Sequence, residues 1–153
     1  MRNATDDPDI FKLAQDVFMK KGESFEIRKS ALVVVNLNND LTLLKPFYSA
    51  LMMDREEKPG FRKIAIERCE TLKIDDFELK LLKLIGDQNE TAFMRQIFIE
   101  TLAKRKNTLT NVLPELNQTY QSMEKGPLKN KLKELMSASE TRNGLVKESK
   151  PIY

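Results

Sequence analysis

A chain of 153 residues is long enough to bury one hydrophobic core, and 41% hydrophobic with 32% charged residues is the balance of a folded protein, not a disordered one. A net charge of +3 demands no acidic partner, and no apolar run exceeds Ala31–Val35, far short of the roughly 20 residues of a membrane span. The absence of histidine excludes histidine-based general-base catalysis, and one cysteine, Cys69, excludes an internal disulfide and any four-thiolate metal site.

Met1–Asp9 carries Asp6, Asp7 and Asp9 and no apolar stretch, unlike a secretory leader or an Arg-rich transit peptide. With a single cysteine, the expected setting is the reducing cell interior, cytoplasmic or nuclear. Three glycosylation sequons, beginning at Asn3, Asn89 and Asn117, keep secretion open as the alternative.

Asp7 followed by Pro8 opens the first helix, because proline suits the first helical position. Ile10, Leu13, Ala14, Val17 and Phe18 form its apolar face, with Lys20 and Lys21 placed to serve the dipole and Gly22 to close the helix. Residues 24–37 read two ways. Phe25 and Ile27 alternate with charges and Leu32–Val35 is β-branched, as in a small hairpin; Ser24 as cap with Ile27, Ala31 and Val34 on one face favours a helix, since a lone hairpin is barely stable. Leu44, Phe47, Tyr48 and Leu51 mark the next helix, with Pro46 in its first turn or kinking it. Glu56 and Glu57 read as a solvated turn before Lys58-Pro59-Gly60, and Phe61, Ile64, Ala65, Cys69 and Leu72 as a further helical face. Asp75 with Glu78 reads as a capping box for a short helix through Leu81, Leu82 and Ile85 to Gly86. Asn89 is the expected cap of a helix whose Phe93, Ile97, Phe98, Thr101 and Leu102 face the core. Leu109 to Met123 continues at helical spacing around Pro114, and Gly126-Pro127 starts a last helix through Leu132 and Met136.

The expected fold is all-α, a compact bundle or short stack of about six to seven helices over residues 1–136. Residues 137–153 form a tail expected to be disordered and dispensable for folding. No internal repeat of the kind that builds a solenoid stands out.

The remaining chemistry is sparse. There is no glycine-rich phosphate loop and no calcium loop, so no cofactor, metal or small-molecule ligand is indicated. Asp75 and Asp76 read as a helix start and Cys69 as a core residue, which leaves no catalytic constellation. Two surfaces stand out. Tyr48, Met52 and Met53 leave one helix apolar around most of its girth, the mark of an exposed contact strip or of full burial. Between Thr101 and Lys133 the chain is net +5, through Lys104, Arg105, Lys106, Lys125, Lys129, Lys131 and Lys133. Such a surface suits phosphate, although only Tyr120 is present to stack on a base. The expected function is therefore a non-catalytic adaptor or scaffold binding another protein, or itself, through Tyr48, Met52 and Met53. A nucleic-acid-associated protein using residues 101–133 is the alternative.

Overall fold

The computed structural model describes residues 6–148, with side chains described through residue 138. The described residues form eight α-helices and a 3-10 segment, and no strand occurs among them. The chain divides into two units, Met1–Ile74 and Asp75–Tyr153, where one helical domain over 1–136 is the sequence expectation.

The first unit is two stacked helical hairpins. α1 (Pro8–Phe18) pairs with α2 (Phe25–Asn36), and α3 (Leu41–Met53) pairs with α4 (Pro59–Leu72). Three of the four starts are capped by side chains. Asp7 accepts from the Asp9 amide at 2.8 Å, Ser24 from Ile27 at 3.3 Å and Asp40 from Thr42 at 3.0 Å. Each satisfies an amide the helix itself leaves unpaired. Residues 24–37 are thus helical, as the Ser24 cap indicates.

Phenylalanines join the two hairpins. Phe18 of α1 meets Phe47 of α3 and Phe61 of α4 edge-on, with centroids 5.7 and 5.0 Å apart. Phe11 meets Phe47 at 6.0 Å, and Phe25 of α2 stacks on Phe61 at 5.1 Å. Burying one such ring stabilises the fold by about 1.5–3 kcal/mol, and an edge-to-face pair adds about 0.5–1.5 kcal/mol. Pro46 lies at the sixth position of α3, past its first turn, so its missing N–H falls within the helix proper.

The second unit comprises α5 (Phe77–Gly86), α6 (Ala92–Ala103), the 3-10 segment Lys106–Val112, α7 (Leu113–Ser122) and α8 (Pro127–Glu148). α5 packs on α6 and α7, and α8 packs on both α6 and α7. Leu81, Ile85, Phe98, Leu102, Leu109, Leu116 and Leu132 are its most buried apolar side chains. Backbone over residues 137–148, the start of the expected tail, is helical in α8. The rest of that tail, residues 149–153, lies outside the described residues.

Several local expectations are corrected. No glycine among the described residues has positive φ; the left-handed residues are Lys73 (φ 54°) and Asp76 (φ 57°). Lys73 donates to the Glu70 carbonyl at 3.2 Å and Ile74 to the Cys69 carbonyl at 3.2 Å, which closes α4 in the Schellman pattern with buried Ile74 as its apolar anchor. α5 starts after Asp76 without a side-chain cap, so Asp75 and Glu78 form no capping box. Thr91, not Asn89, caps α6, and its hydroxyl accepts from Met94 at 3.2 Å. That start turns Met94 inward and leaves Phe93 55% exposed. α1 ends at Phe18, so Lys20 and Lys21 fall beyond its last turn.

A repeat absent from the sequence reading emerges from the helix ends. The Arg28 Nε donates to the Phe18 carbonyl at 2.8 Å, the Arg62 Nε to Met52 at 3.1 Å and the Arg95 Nε to Ile85 at 2.7 Å. Each arginine reaches back ten residues to the last turn of the preceding helix. Carbonyls there have no helical partner and carry the negative end of the dipole, so a guanidinium answers both needs. Five residues before each arginine stands a glutamate, at 23, 57 and 90. Each accepts from the amide of the next residue, at 3.3, 2.9 and 3.3 Å. The arginines are 34 and 33 residues apart, one helical hairpin each. Glu124 and Lys129 hold the corresponding places at the start of α8.

Candidate functional site

Arg28 shows what the repeat does between neighbouring hairpins. From the start of α2 its guanidinium forms a bidentate pair with Glu57, at 3.0 and 2.6 Å, before α4. Both side chains are 1% exposed. The guanidinium also lies over the Phe18 and Phe61 rings, 4.6 and 4.9 Å from their centroids. Glu57 is therefore no part of a solvated turn: α2 and α4 close over it, and Arg28 supplies its counter-charge. Removing either partner would strand a buried charge.

The opposite face of the first hairpin is open. Ile10, Leu13 and Val17 of α1 face Ile27 and Val34 of α2 across a groove floored by Ala14 and Ala31, with Ser30 its sole polar lining residue. Leu13 is 67% exposed and Ile27 47%. The repeat identifies this face. Leu44, Phe47, Leu51, Phe61 and Ala65 lie 34 residues after Ile10, Leu13, Val17, Ile27 and Ala31. In the second hairpin all five are buried, and the first hairpin covers Phe47 and Phe61 through Phe11, Phe18 and Phe25. In the first hairpin the same positions are apolar and form the open groove.

The expected strip at Tyr48, Met52 and Met53 is corrected. Tyr48 and Met52 are 0% exposed, and Met53 is half-buried. The Tyr48 hydroxyl donates to the Asn36 side chain, its ring packs edge-on against Phe47 and the Arg68 guanidinium lies over it at 5.4 Å. Burial raises the phenol to about 12, against the opposing pull of Arg68. The helix is apolar around its girth because it is enclosed, and these side chains offer a partner no strip.

The basic residues of 101–133 divide. Arg105 pairs with Glu78 at 2.7 Å, Lys131 with Glu100 at 2.8 Å, and Lys129 lies 4.8 Å from the Tyr120 ring centre. Burial pushes the Glu78 carboxyl up, but hydrogen bonds from Arg105 and Thr108 outweigh it and hold the group below the usual range. Lys106 and Lys131 border one shallow depression together with Glu100 and Glu134, which weakens its positive field. Lys104, Lys106, Lys125 and Lys133 are exposed.

No group of three or more cysteine and carboxylate side chains comes together as a metal site among the described residues. Cys69 is free and fully buried in α4, a small apolar side chain in the core. No helix of the described residues is long and apolar enough to cross a membrane. Comparison with protein-family models, curated proteins and solved structures finds no match to this chain.

Proposed function

We propose that the chain is a non-catalytic helical adaptor or scaffold that works by binding another protein, and that the contact surface is the groove between α1 and α2. One observation carries this reading. Five large apolar side chains, Ile10, Leu13, Val17, Ile27 and Val34, line an open concave face with one hydroxyl among them. Contiguous apolar surface of this kind marks interaction sites on soluble proteins. A reducing cell interior suits a chain whose single thiol is buried.

The Leu13→Asp variant tests it. Leu13 is exposed, so the helical circular dichroism and thermal unfolding of the parent are expected to persist. A protein that co-purifies with the parent from its native source is expected to be lost. Retention of every such protein by the folded variant would overturn the reading. Phosphate binding by the exposed lysines 104, 106, 125 and 133 is the alternative. It predicts retention on a polyanion column that falls steeply with salt, whereas an apolar contact does not.

A further inference from the structure

We infer that the groove of α1 and α2 accepts a helical hairpin of a partner polypeptide, and that this hairpin brings an arginine one turn into its second helix to pair with Glu23. The inference rests on the protein-binding reading above and states the partner's chemistry.

The molecule displays the occupied version of this groove in its second hairpin. There the covering element is not one helix but two: Phe11 and Phe18 arrive from α1, Phe25 and Arg28 from α2. The rings fill the apolar floor and the guanidinium takes Glu57 at the edge. Glu23 stands 34 residues before Glu57 in the same local conformation, its carboxylate accepting from the Ser24 amide as Glu57 accepts from Lys58. An apolar floor and an acidic rim recur together, so the same pair of partner features satisfies both.

A second copy of this chain fits less well. Arg28 is the one arginine of α1 and α2, and it is engaged by Glu57 and the Phe18 carbonyl, so groove against groove brings Glu23 no arginine. The exposed side of α8 presents Asn130, Lys133, Glu134 and Ser137, a polar surface with nothing to fill an apolar floor.

The chain's own first hairpin serves as the probe. A second copy of residues 7–39 is inserted between Asn39 and Asp40 of the full chain, which preserves the natural junction because Asp7 and Asp40 both cap helices. A cysteine replaces Leu13 in the inner copy alone, and its reaction with a thiol reagent is compared with that of Leu13→Cys in the single-copy chain; buried Cys69 stays silent in both. The inner thiol is expected to react at least about tenfold more slowly, as docking worth a single decade in equilibrium would give. Adding Glu23→Gln to the inner copy is expected to restore about tenfold. The same Glu23→Gln change in the single-copy chain is expected to leave reactivity unaltered.

An inner thiol as reactive as the single-copy one overturns the inference and leaves the groove's partner to the co-purification test. Slow reaction with no response to Glu23→Gln overturns the arginine. A single-copy chain that is dimeric by light scattering, with its Leu13→Cys thiol already protected, overturns the partner in favour of a second copy. Circular dichroism of every variant confirms that reactivity reports the groove and not unfolding.

Discussion

The two units each tie distant helices together with an arginine–glutamate pair, and they do so at different depths. In the first unit Arg28 and Glu57 are both 1% exposed, flanked by phenyl rings and joined by two hydrogen bonds. In the second, Arg105 holds Glu78 through its Nε at 2.7 Å with water at one side, the two side chains being 28% and 17% exposed. Thr108 supplies a second donor at 3.0 Å. A deep pair fixes which hairpin follows which, because neither charge tolerates a missing partner. A shallow pair fastens helices that apolar contacts have already arranged, and water can replace part of it.

The largest effect is expected from Glu57→Gln. It leaves Arg28 buried without a counter-charge and is expected to cost about 3–5 kcal/mol in denaturant unfolding. Replacing both partners by apolar residues of similar volume, Arg28→Met with Glu57→Leu, is expected to recover most of that loss. A small effect of the single change would show that the depth contrast is energetically empty.

Glu78→Gln is expected to cost about 1–2 kcal/mol, the range of a hydrogen bond to a charged group. It also carries a pH signature. The folded Glu78 carboxyl is held below its ordinary value, so its contribution is present above the unfolded value of about 4.3 and is lost as pH falls through the folded one. Acid unfolding of the Glu78→Gln variant is therefore expected to be shallower than the parent's below about pH 4. Equal slopes would show that the Arg105 bond does not survive in solution.

The smallest effect is expected from Lys21→Ala. Lys21 meets Asp54 at 2.7 Å across the same two hairpins that Arg28 and Glu57 join, but with side chains 38% and 26% exposed. Hydrogen bonding to Asp54 raises the lysine and, against burial, lowers the aspartate. Its removal is expected to cost less than about 1 kcal/mol, and less again in high salt. A loss rivalling that of Glu57→Gln would make depth the wrong variable.

Much of the fold was legible in the sequence because caps and apolar spacing are local. Ser24 and Ile27 decided the uncertain segment correctly, and Asp7-Pro8 placed α1. What escaped was long-range. The repeat is marked by one glutamate and one arginine five residues apart, in a chain with 26 basic and 23 acidic residues, so charge counting hides it. Had Ile27 and Phe61 before their arginines been noticed, the same register would have turned Met94 inward in place of Phe93. The all-round apolar character of α3 was legible too, but its meaning was not: enclosure and a partner strip leave the same pattern at Tyr48 and Met52. The groove residues Ile10, Leu13 and Ile27 resembled core positions because in every other hairpin of the first unit their counterparts are core.

The reach of Arg28 sets an order of assembly. Its own carbonyl target lies ten residues back, whereas the carboxylate that balances its charge lies 29 residues ahead. A chain emerging from the ribosome at about 5–20 residues per second therefore finishes α1 with the arginine first, and for a few seconds at most carries that cation without its counter-ion. The first hairpin is left adhesive and charged on its inner side until the second arrives. Synthesis itself thus presents the neighbour in sequence before any competitor.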